Sequence, residues 1–336
     1  MTEIAELSEI LATAQVFALP MVNRFRGIAV RDGVLLRGAA GWAEFAPFHD
    51  YNDTACIPWL RAAVDSASHR WPVPVRDFIE VNTTVPVVQP EEAFRLVRDS
   101  GCRTAKVKVA DPGASQSADI DRLAAVRDAL GGDGRIRIDA NAAWTADQAI
   151  ALVPDLIAAA GGLEYVEQPC PSVAELSRVR AAIEIPVAAD ESIRLATDPL
   201  AVARAHAADI AVMKVAPLGG VSAALRIAGE VRSESGMQIV VSSAVDTAVG
   251  LAAGLAAAGA LPDQPFACGL GTASLLAEDV VTGRPLPTAG RLPVPRHPPD
   301  PDRLAAVAAD QATTEYWLAR LHRVSALLTD PGRPAR

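Results

Sequence analysis

Charged side chains end several short, Val- and Ile-rich segments in the middle of the chain. The motifs are Lys106-Val107-Lys108, Asp139-Ala140-Asn141, Glu167-Gln168-Pro169, Asp190-Glu191-Ser192 and Lys214. Counted from Lys108 to Lys214, successive motifs are 31, 28, 23 and 24 residues apart, and each step has about the length of one strand followed by one helix. We therefore expect Lys, Asp, Glu, Asp and Lys to meet in one ring at the carboxyl ends of five neighbouring parallel strands.

Three carboxylates in such a ring would repel one another unless a cation lay between them. Magnesium prefers carboxylate, water and substrate oxygens, and three acidic ligands leave about three of its octahedral positions open. Asp139, Glu167 and Asp190 therefore predict a Mg²⁺ site, in which Mn²⁺ could substitute, with room for the carboxylate of a small-molecule substrate.

Two lysines of the ring could exchange protons with a bound substrate. A cation that holds a carboxylate makes the proton on the adjacent carbon removable, because it stabilises the enediolate that forms. Lys108 and Lys214, on opposite sides of the ring, could each present a base to one face of the substrate. Lys108 must be partly neutral near pH 7 to do so, which the positive charges of Lys106 and the metal favour.

The elements that must position these residues alternate between strand and helix from about residue 78. The predicted strands span residues 78–85, 104–110, 135–141, 163–170, 186–192, 209–217, 238–246 and 266–272. Predicted helices include residues 90–100, 117–130, 174–183 and 221–233. Eight such units over about 200 residues predict an α/β protein with a closed (β/α)₈ barrel. An open doubly wound sheet is disfavoured, because no G-x-G-x-x-G motif follows the first strand.

Two smaller regions flank the predicted barrel. Residues 15–47 read as hairpin-forming strands with turns at Arg31-Asp32-Gly33 and at 38–41, followed by a helix over 57–68. Residues 284–303 are Pro-rich and expected to be extended, and 304–328 are expected to be helical. The expected domains are an α+β cap (1–77), the barrel (78–283) and a C-terminal segment that packs back on both (284–336).

Bulk properties exclude several other classes. The net charge is −9 and no cluster of Lys and Arg occurs, so we expect neither nucleic-acid nor membrane-surface binding. The cysteines, at 56, 102, 170 and 268, form no C-x-x-C pair, which disfavours a zinc site or a disulfide framework. The acidic start lacks signal-peptide features and the most apolar stretch, 249–261, is too short to span a bilayer, so a cytoplasmic location is expected. Neither a heptad run nor an interface patch indicates an oligomeric state.

Taken together, the motifs resemble those of the muconate-lactonising-enzyme subgroup of the enolase superfamily. Within that subgroup the compact cap and the segments 23–27 (NRFRG), 81–86 (VNTTVP), 241–246 (VSSAVD) and 268–272 (CGLGT) look most like the actinobacterial o-succinylbenzoate synthases. The resemblance implies a lyase of menaquinone synthesis that dehydrates 2-succinyl-6-hydroxy-2,4-cyclohexadiene-1-carboxylate to o-succinylbenzoate.

The resemblance also implies residue roles. Asp139, Glu167 and Asp190 would bind Mg²⁺, and Lys108 would take the proton and then serve as acid for the departing hydroxyl. Lys214 would stabilise the enediolate from the other face, through its charge and a cation–π contact. The candidates for contacting the substrate or orienting the metal ligands are Lys106, Asn141, Ser242, Ser243, Gly269 and, on a cap loop that closes over the site in this family, Arg26.

Other functions fit the same residues. N-acylamino acid racemases, dipeptide epimerases and cycloisomerases of the subgroup would use the same metal and lysines. A Schiff-base aldolase would use one barrel lysine without a metal, and a binding protein would use neither. Singly, the motifs have ordinary explanations, since Asp190 or Asp139 could cap a helix and Glu167 could simply end a strand before a proline. Glu191, opposite in parity to Asp190, is expected to face away or to support the ligands.

Overall fold

A small cap precedes the barrel in the computed structural model, which describes residues 3–25, 27–194, 198–294 and 296–329. Its elements are α1 (Glu3–Leu11), β1 (Gln15–Phe25), β2 (Ile28–Gly38), β3 (Gly41–Phe45) and α2 (Ile57–Ser68). The three strands form an antiparallel sheet in the order β1-β2-β3. Trp59, Leu60 and Ala63 of α2 pack into the core of the cap. Such a half-buried sheet with two helices agrees with the α+β cap expected from the sequence.

The expected turn at Arg31-Asp32-Gly33 is wrong, because these residues lie inside β2 and pair with residues 17–19 of β1. A Cβ atom at Gly33 would lie 2.4 Å from Cβ of Ala46, so glycine is needed here for close packing. The polar neighbours have partners as well, since the buried Arg31 donates from Nε to the carbonyl of Val245 at 3.0 Å. Although Arg31-Asp32-Gly33 is typical of a turn, its residues form a strand and make tertiary contacts with Ala46 and Val245.

Eight parallel strands close into a barrel. They are β4 (Phe78–Val85), β5 (Thr104–Lys108), β6 (Arg135–Asp139), β7 (Val166–Glu167), β8 (Val187–Ala189), β9 (Ile210–Lys214), β10 (Gln238–Ser242) and β11 (Cys268–Gly271). Each pairs with the next, and β11 pairs with β4 to complete the circle. The predicted fold class, a (β/α)₈ barrel with a separate N-terminal cap, is confirmed.

Helices connect successive strands. They are α3 (Pro90–Ser100), α4 (Gln116–Leu130), α5 (Ala146–Ala160), α6 (Val173–Ala182), α7 (Glu191–Arg194), α8 (Ala201–Arg204), α9 (Val221–Ser235) and α10 (Ala248–Ala260). Side chains that accept backbone N–H bonds begin four of them, namely Ser115, Thr145, Ser172 and Thr247. Gly101, Gly161 and Gly236 end α3, α5 and α9 in the left-handed conformation. Local capping chemistry thus explains where the chain leaves each helix.

Several strands are shorter than the sequence predicted. β7 and β8 contain two and three residues, and α7 begins at Glu191, so the predicted strand over 186–192 is wrong at its carboxyl end. The chain turns with positive φ at Ala110, Asn141 and Gln168, directly after or close to the ends of β5, β6 and β7. The side-chain oxygen of Gln168 accepts the N–H groups of Asp190 and Ser192 at 2.9 and 3.1 Å, which replaces strand pairing at that point.

The C-terminal part contains β12 (Arg291–Pro293), α11 (Pro301–Ala306) and α12 (Gln311–Thr329). β12 pairs antiparallel with β4, as fits an extended segment, but α11 begins at Pro301, before the expected start at 304. The helix expected over 304–328 is interrupted between α11 and α12. Trp317 and Leu321 of α12 pack into the cap core. The domain boundaries after residues 77 and 283 stay predictions. In the described part of the chain, no helix combines the length and apolarity needed to cross a membrane.

Candidate active site

The five charged motifs meet at the carboxyl ends of the barrel strands. Pairing of β5 with β6 and of β6 with β7 sets Lys108 beside Asp139 and Asp139 beside Glu167. Asp190 directly follows β8, and Lys214 ends β9. These side chains, with that of Lys106, belong to residues that are each at most 9% exposed. So many charges are buried at low cost only when they compensate one another or bind a ligand.

Each carboxylate of the ring faces a lysine. Nζ of Lys106 donates to Oε1 of Glu167 at 2.7 Å and lies 3.2 Å from Oδ2 of Asp139. Nζ of Lys108 donates to the same Asp139 oxygen at 2.5 Å and to Oδ1 of Asn141 at 2.7 Å. Five of the predicted residues therefore form one connected set of charged hydrogen bonds.

Lys214 closes the ring on the far side. Its Nζ donates to Oδ2 of Asp190 at 2.6 Å, and Oδ1 of the same carboxylate accepts from Nε of Arg194 at 2.9 Å. Burial alone would raise the pKa of Asp190, but the positive charges of Arg194 and Lys214 outweigh it and lower that pKa. Burial also lowers the pKa of Lys214 itself. Asp190 is thus an anion held between two cations, and the buried Lys214 is easier to deprotonate than an ordinary lysine.

Burial and neighbouring charges shift the pKa values of the other two carboxylates in opposite directions. Burial, reinforced by the negative charge of Asp139, raises the pKa of Glu167 to about 7. Burial opposes ionisation of Asp139 as well, but the charges of Lys108 and Lys106 hold the pKa of Asp139 well below its usual range. Glu167 is therefore the carboxylate of the ring with the greatest need for further positive charge.

A divalent cation fits this donor set. Among the residues that the structure describes, no group of three acidic, His or Cys side chains is close enough together to hold a metal ion. Each carboxylate of the ring is instead paired with a lysine. Oε2 of Glu167, however, is buried without a hydrogen-bond partner. Three carboxylates on successive strands, one with an orphaned oxygen, are the hard oxygen ligands of a divalent ion.

Arg122 and Asp119 of α4, outside the barrel, form hydrogen bonds with the end of the strand that carries Lys108. Nη1 of the buried Arg122, on α4, donates to the carbonyl of Lys108 at 3.0 Å and to Oδ1 of Asp119 at 2.7 Å. The other Asp119 oxygen accepts the N–H of Ala110 at 2.9 Å, where the backbone turns with φ of 62°. This buried ion pair holds the end of β5 in place.

The ends of β10 and β11 form the opposite wall. Ser242 and Gly269 pair across the two strands, and a Cβ atom at Gly269 would lie 2.4 Å from Oγ of Ser242. Oγ of Ser243 donates to Oδ2 of Asp246 at 2.9 Å and accepts from Oγ1 of Thr272 at 3.0 Å. Ser242, Ser243 and Gly269 thus lie where the sequence placed them, beside the lysines in a pocket of about 400 Å³.

Sequence reasoning missed other residues that line this pocket. Thr84 and Thr272 lie inside the segments 81–86 and 268–272 that carried the resemblance, and the cap contributes Phe25 and Phe48. Nζ of Lys108 lies 5.2 Å from the centre of the Phe25 ring. An open cleft of about 1040 Å³ beside the pocket is lined by Arg24 and Lys108. The other candidate of that cap loop, Arg26, lies outside the described residues.

Glu191 and Arg194 also contact the site. Oε1 of Glu191 accepts from Nδ2 of Asn141 at 3.3 Å and from Nη2 of Arg194 at 2.6 Å. Alternation along a strand does not apply to Glu191, because α7 begins at this residue. The expectation that it supports the ligands therefore fits its contacts better than the expectation that it faces away.

Comparisons with known proteins agree with this geometry. Residues 90–298 match the "Enolase C-terminal domain-like" family model and residues 16–67 match "Enolase N-terminal domain-like". The chain is 54% identical over 309 residues to the o-succinylbenzoate synthase of Thermobifida fusca, covering 92% of this chain and 95% of that protein. The chain belongs to the o-succinylbenzoate synthase family. A second member, from Mycolicibacterium smegmatis, is 47% identical over 96% of this chain and 98% of its own.

Membership of the o-succinylbenzoate synthase family confirms the predicted family and the predicted enzyme class, a lyase. Solved structures of more distant proteins share the fold. A muconate lactonizing enzyme from Pseudomonas fluorescens superposes with a TM-score of 0.74 at 20% identity, over 88% of this chain and 98% of that one. The L-Ala-D/L-Glu epimerase of Bacillus subtilis gives 0.72 at 24% identity, over 85% and 96%.

Proposed function

We propose that this protein is a Mg²⁺-dependent dehydratase that converts 2-succinyl-6-hydroxy-2,4-cyclohexadiene-1-carboxylate to o-succinylbenzoate. The observation that carries the proposal is the ring of Lys108, Asp139, Glu167, Asp190 and Lys214 in a chain of the o-succinylbenzoate synthase family. The same function was expected from the sequence motifs. Relatives named o-succinylbenzoate synthase, which match this chain over nearly their whole length, support it.

Asp139, Glu167 and Asp190 would hold Mg²⁺, with Mn²⁺ as a substitute. When bound, the cation supplies positive charge to the substrate carboxylate and so makes the proton on the adjacent carbon easier to remove. The carboxylates would then no longer need Lys106, Lys108 and Lys214 as counter-ions. The ammonium groups would be free to face the pocket.

Lys108 is the proposed base. Its side chain lines the pocket between β5 and the ring of Phe25, and its backbone is fixed by Arg122. The neutral amine takes the proton from the carbon that bears the carboxylate. The resulting ammonium gives that proton to the departing hydroxyl, so that one water leaves and the ring becomes aromatic.

Lys214 is proposed to act by its charge. It lines the pocket from the side of β9, across the ring from Lys108, and can stabilise the negative charge that develops on the substrate. Lys106 would tune Lys108 and contact the carboxylate. Asn141, already bonded to Lys108, would orient that lysine.

The remaining candidates are proposed to hold the succinyl arm. Ser242 and Ser243 present hydroxyl groups to the pocket, and Gly269 leaves the space that a side chain would fill. Arg26 stays a prediction as a contact of the dianionic substrate. A small carboxylate as the partner, the absence of nucleic-acid and membrane partners, and the cytoplasmic location stay predictions as well.

Turnover of freshly prepared substrate by the purified protein tests the proposal. We expect product with Mg²⁺, none after EDTA, and recovery when Mg²⁺ is added back. Lys108→Ala should abolish turnover while Mg²⁺ binding persists. Failure of the folded, Mg²⁺-loaded protein to turn over this substrate, together with racemisation of N-acylamino acids or epimerisation of dipeptides, would instead favour the other reactions of the subgroup.

A further inference from the structure

We propose that Arg194 is a positioning residue that orients the carboxylate of Asp190 for the metal, and that Tyr51 of the cap holds Arg194 in place. The inference rests on the proposed function, in which Asp190 is a ligand of Mg²⁺. It adds an interaction between the cap and the metal site that the motifs at the strand ends do not contain.

Arg194 makes three contacts at once. Its Nε donates to Oδ1 of Asp190 at 2.9 Å, its Nη2 donates to Oε1 of Glu191 at 2.6 Å, and its Nη1 donates to the hydroxyl of Tyr51. The side chain is 1% exposed, so water cannot replace a lost partner cheaply. The planar guanidinium therefore has one orientation that satisfies all three acceptors.

The contact with Arg194 decides which oxygen of Asp190 faces the ring. Oδ1 is occupied from behind by Arg194, whereas Oδ2 faces Lys214 at 2.6 Å. A carboxylate with one oxygen held in this way presents the other oxygen to a cation in one direction. Partners of this kind behind a metal ligand commonly affect metal affinity by roughly 10- to 100-fold.

Tyr51 connects Arg194 to the cap. It lies in the loop between β3 and α2, and its ring packs edge-on against Phe48 and Trp59, with centroids 6.1 and 6.0 Å away. Its hydroxyl contacts Arg194, a residue 143 positions later in the chain. The ring is fixed by apolar packing, so the hydroxyl is presented to the guanidinium at little cost in side-chain entropy.

The loop that carries Tyr51 is itself bound by the C-terminal helix. The buried Arg320 of α12 donates from Nη2 to the carbonyls of Phe48, at 3.1 Å, and of Tyr51. Arg323, one turn later, pairs with Asp53 at 2.6 Å. A chain of direct contacts thus runs from α12 through the cap loop and Arg194 to Asp190.

The test is the affinity of EDTA-stripped protein for Mg²⁺, measured by calorimetry, in Tyr51→Phe. The variant keeps the packed ring and loses only the hydroxyl, and we expect Mg²⁺ to bind about tenfold more weakly. In turnover assays the Mg²⁺ concentration for half-maximal rate should rise by the same factor, with kcat at saturating Mg²⁺ near the wild-type value. Tyr316→Phe, which removes a hydroxyl from a partly exposed tyrosine of α12, is the matched control and should bind Mg²⁺ normally.

Arg194→Lys provides a second variant and a double-mutant cycle. It keeps the charge but loses the planar fork, so we expect weaker Mg²⁺ binding here too. Because Tyr51 is proposed to act through Arg194, adding Tyr51→Phe to Arg194→Lys should weaken binding little further. Effects that simply add in the double variant would overturn the proposed route.

Two outcomes separate this inference from the proposed function. Unchanged Mg²⁺ affinity in Tyr51→Phe and Arg194→Lys, or a lower melting temperature alone, would mean that both residues are merely structural. Asp190→Asn is measured in parallel and should lose Mg²⁺ binding. If Asp190→Asn binds Mg²⁺ normally, the proposed metal site itself is wrong.

Discussion

Glu44, on β3 of the cap, accepts two hydrogen bonds from Thr247, the residue that caps helix α10 of the barrel. Oε2 of Glu44 lies 3.0 Å from the backbone nitrogen of Thr247 and 2.5 Å from its hydroxyl oxygen. A Cβ atom at Gly250, on the first turn of α10, would come within 2.8 Å of the Glu44 carboxyl group, so glycine makes room for this contact. Burial, reinforced by the charge of Asp246, raises the pKa of Glu44 to about 8. A buried carboxyl group therefore joins the two domains.

This pKa predicts how stability depends on pH. The folded protein binds the Glu44 proton up to about pH 8, whereas the unfolded chain releases it near the ordinary value of 4.5. The contribution of this group is therefore fully present below about pH 4.5 and is lost as pH rises toward 8, by at most about 1.4 kcal/mol per pH unit. We expect Glu44→Gln to remove this slope, measured as the difference in free energy of unfolding between variant and wild type across pH 5 to 8.

Glu9→Gln, at an exposed carboxyl group of α1, is the control for the Glu44 variant and should leave the slope unchanged. The Glu44→Gln side chain can still accept from Thr247, so the variant should fold. Parallel stability curves for wild type and Glu44→Gln would count against a protonated Glu44.

The two lysines should respond differently to replacement by arginine. Arginine keeps a positive charge but cannot act as a base near neutral pH. Lys108→Arg should lower kcat by about 10²- to 10⁴-fold, the usual contribution of a positioned base, whereas Lys214→Arg should keep part of the dehydratase activity. Steady-state turnover of both variants at saturating Mg²⁺ measures this, and equal losses would argue that Lys214 also transfers a proton.

Gly269→Ala should impair the pocket without a change in polarity. The new methyl group would meet Oγ of Ser242 at 2.4 Å and its Cβ at 3.0 Å, so β10 and β11 must shift. Overpacking of this kind costs about 1–3 kcal/mol of stability, and displacement of pocket groups should raise KM. Gly229→Ala, in α9 where nothing lies within 4 Å, should leave KM unchanged and stabilise the helix slightly. Similar KM values for the two variants would contradict the proposed substrate wall.

Arg122→Met should reveal how firmly the end of β5 is held. The change leaves the buried Asp119 without its partner and the Lys108 carbonyl without a donor. A broken buried ion pair costs roughly 3–5 kcal/mol, and kcat should fall because Lys108 is no longer fixed. Arg226→Met breaks an exposed ion pair with Glu230 and should cost less than about 1 kcal/mol. Urea denaturation of both variants gives the comparison, and equal costs would exclude a clamp at Arg122.

The sequence predicted the barrel and its ring of charges because both depend on local order. Short Val- and Ile-rich strands, helical segments and charged residues at five successive strand ends recur at nearly constant spacing, and parallel pairing then brings the ends together. The spacing argument failed where the backbone leaves the strand. Glu191 was judged by strand parity although it begins a helix, and with that helix recognised, Arg194 follows Asp190 at i+4.

Contacts between the cap and the barrel could not be read from spacing. Tyr51 contacts Arg194, and Glu44 contacts Thr247, only because of the way in which the cap packs on the barrel. The residues of these two pairs are 143 and 203 positions apart in the sequence. Gly33 shows the same limit, because a glycine after Arg31-Asp32 is typical of a turn and only tertiary packing against Ala46 makes it a strand residue.

The strand β12 pairs with β4, one of the two strands between which the barrel circle is completed. β4 pairs with β11 on one side and is joined antiparallel by β12, where Leu292 is fully buried opposite Ile79. The first and last barrel strands are almost 190 residues apart in sequence, and pairing between such distant strands forms slowly during folding. β12 is synthesised after all eight barrel strands, and it adds a second neighbour to the β4 strand that also pairs with β11. The contacts of β4 with β11 and with β12 therefore form only after residues 268–293 have been synthesised.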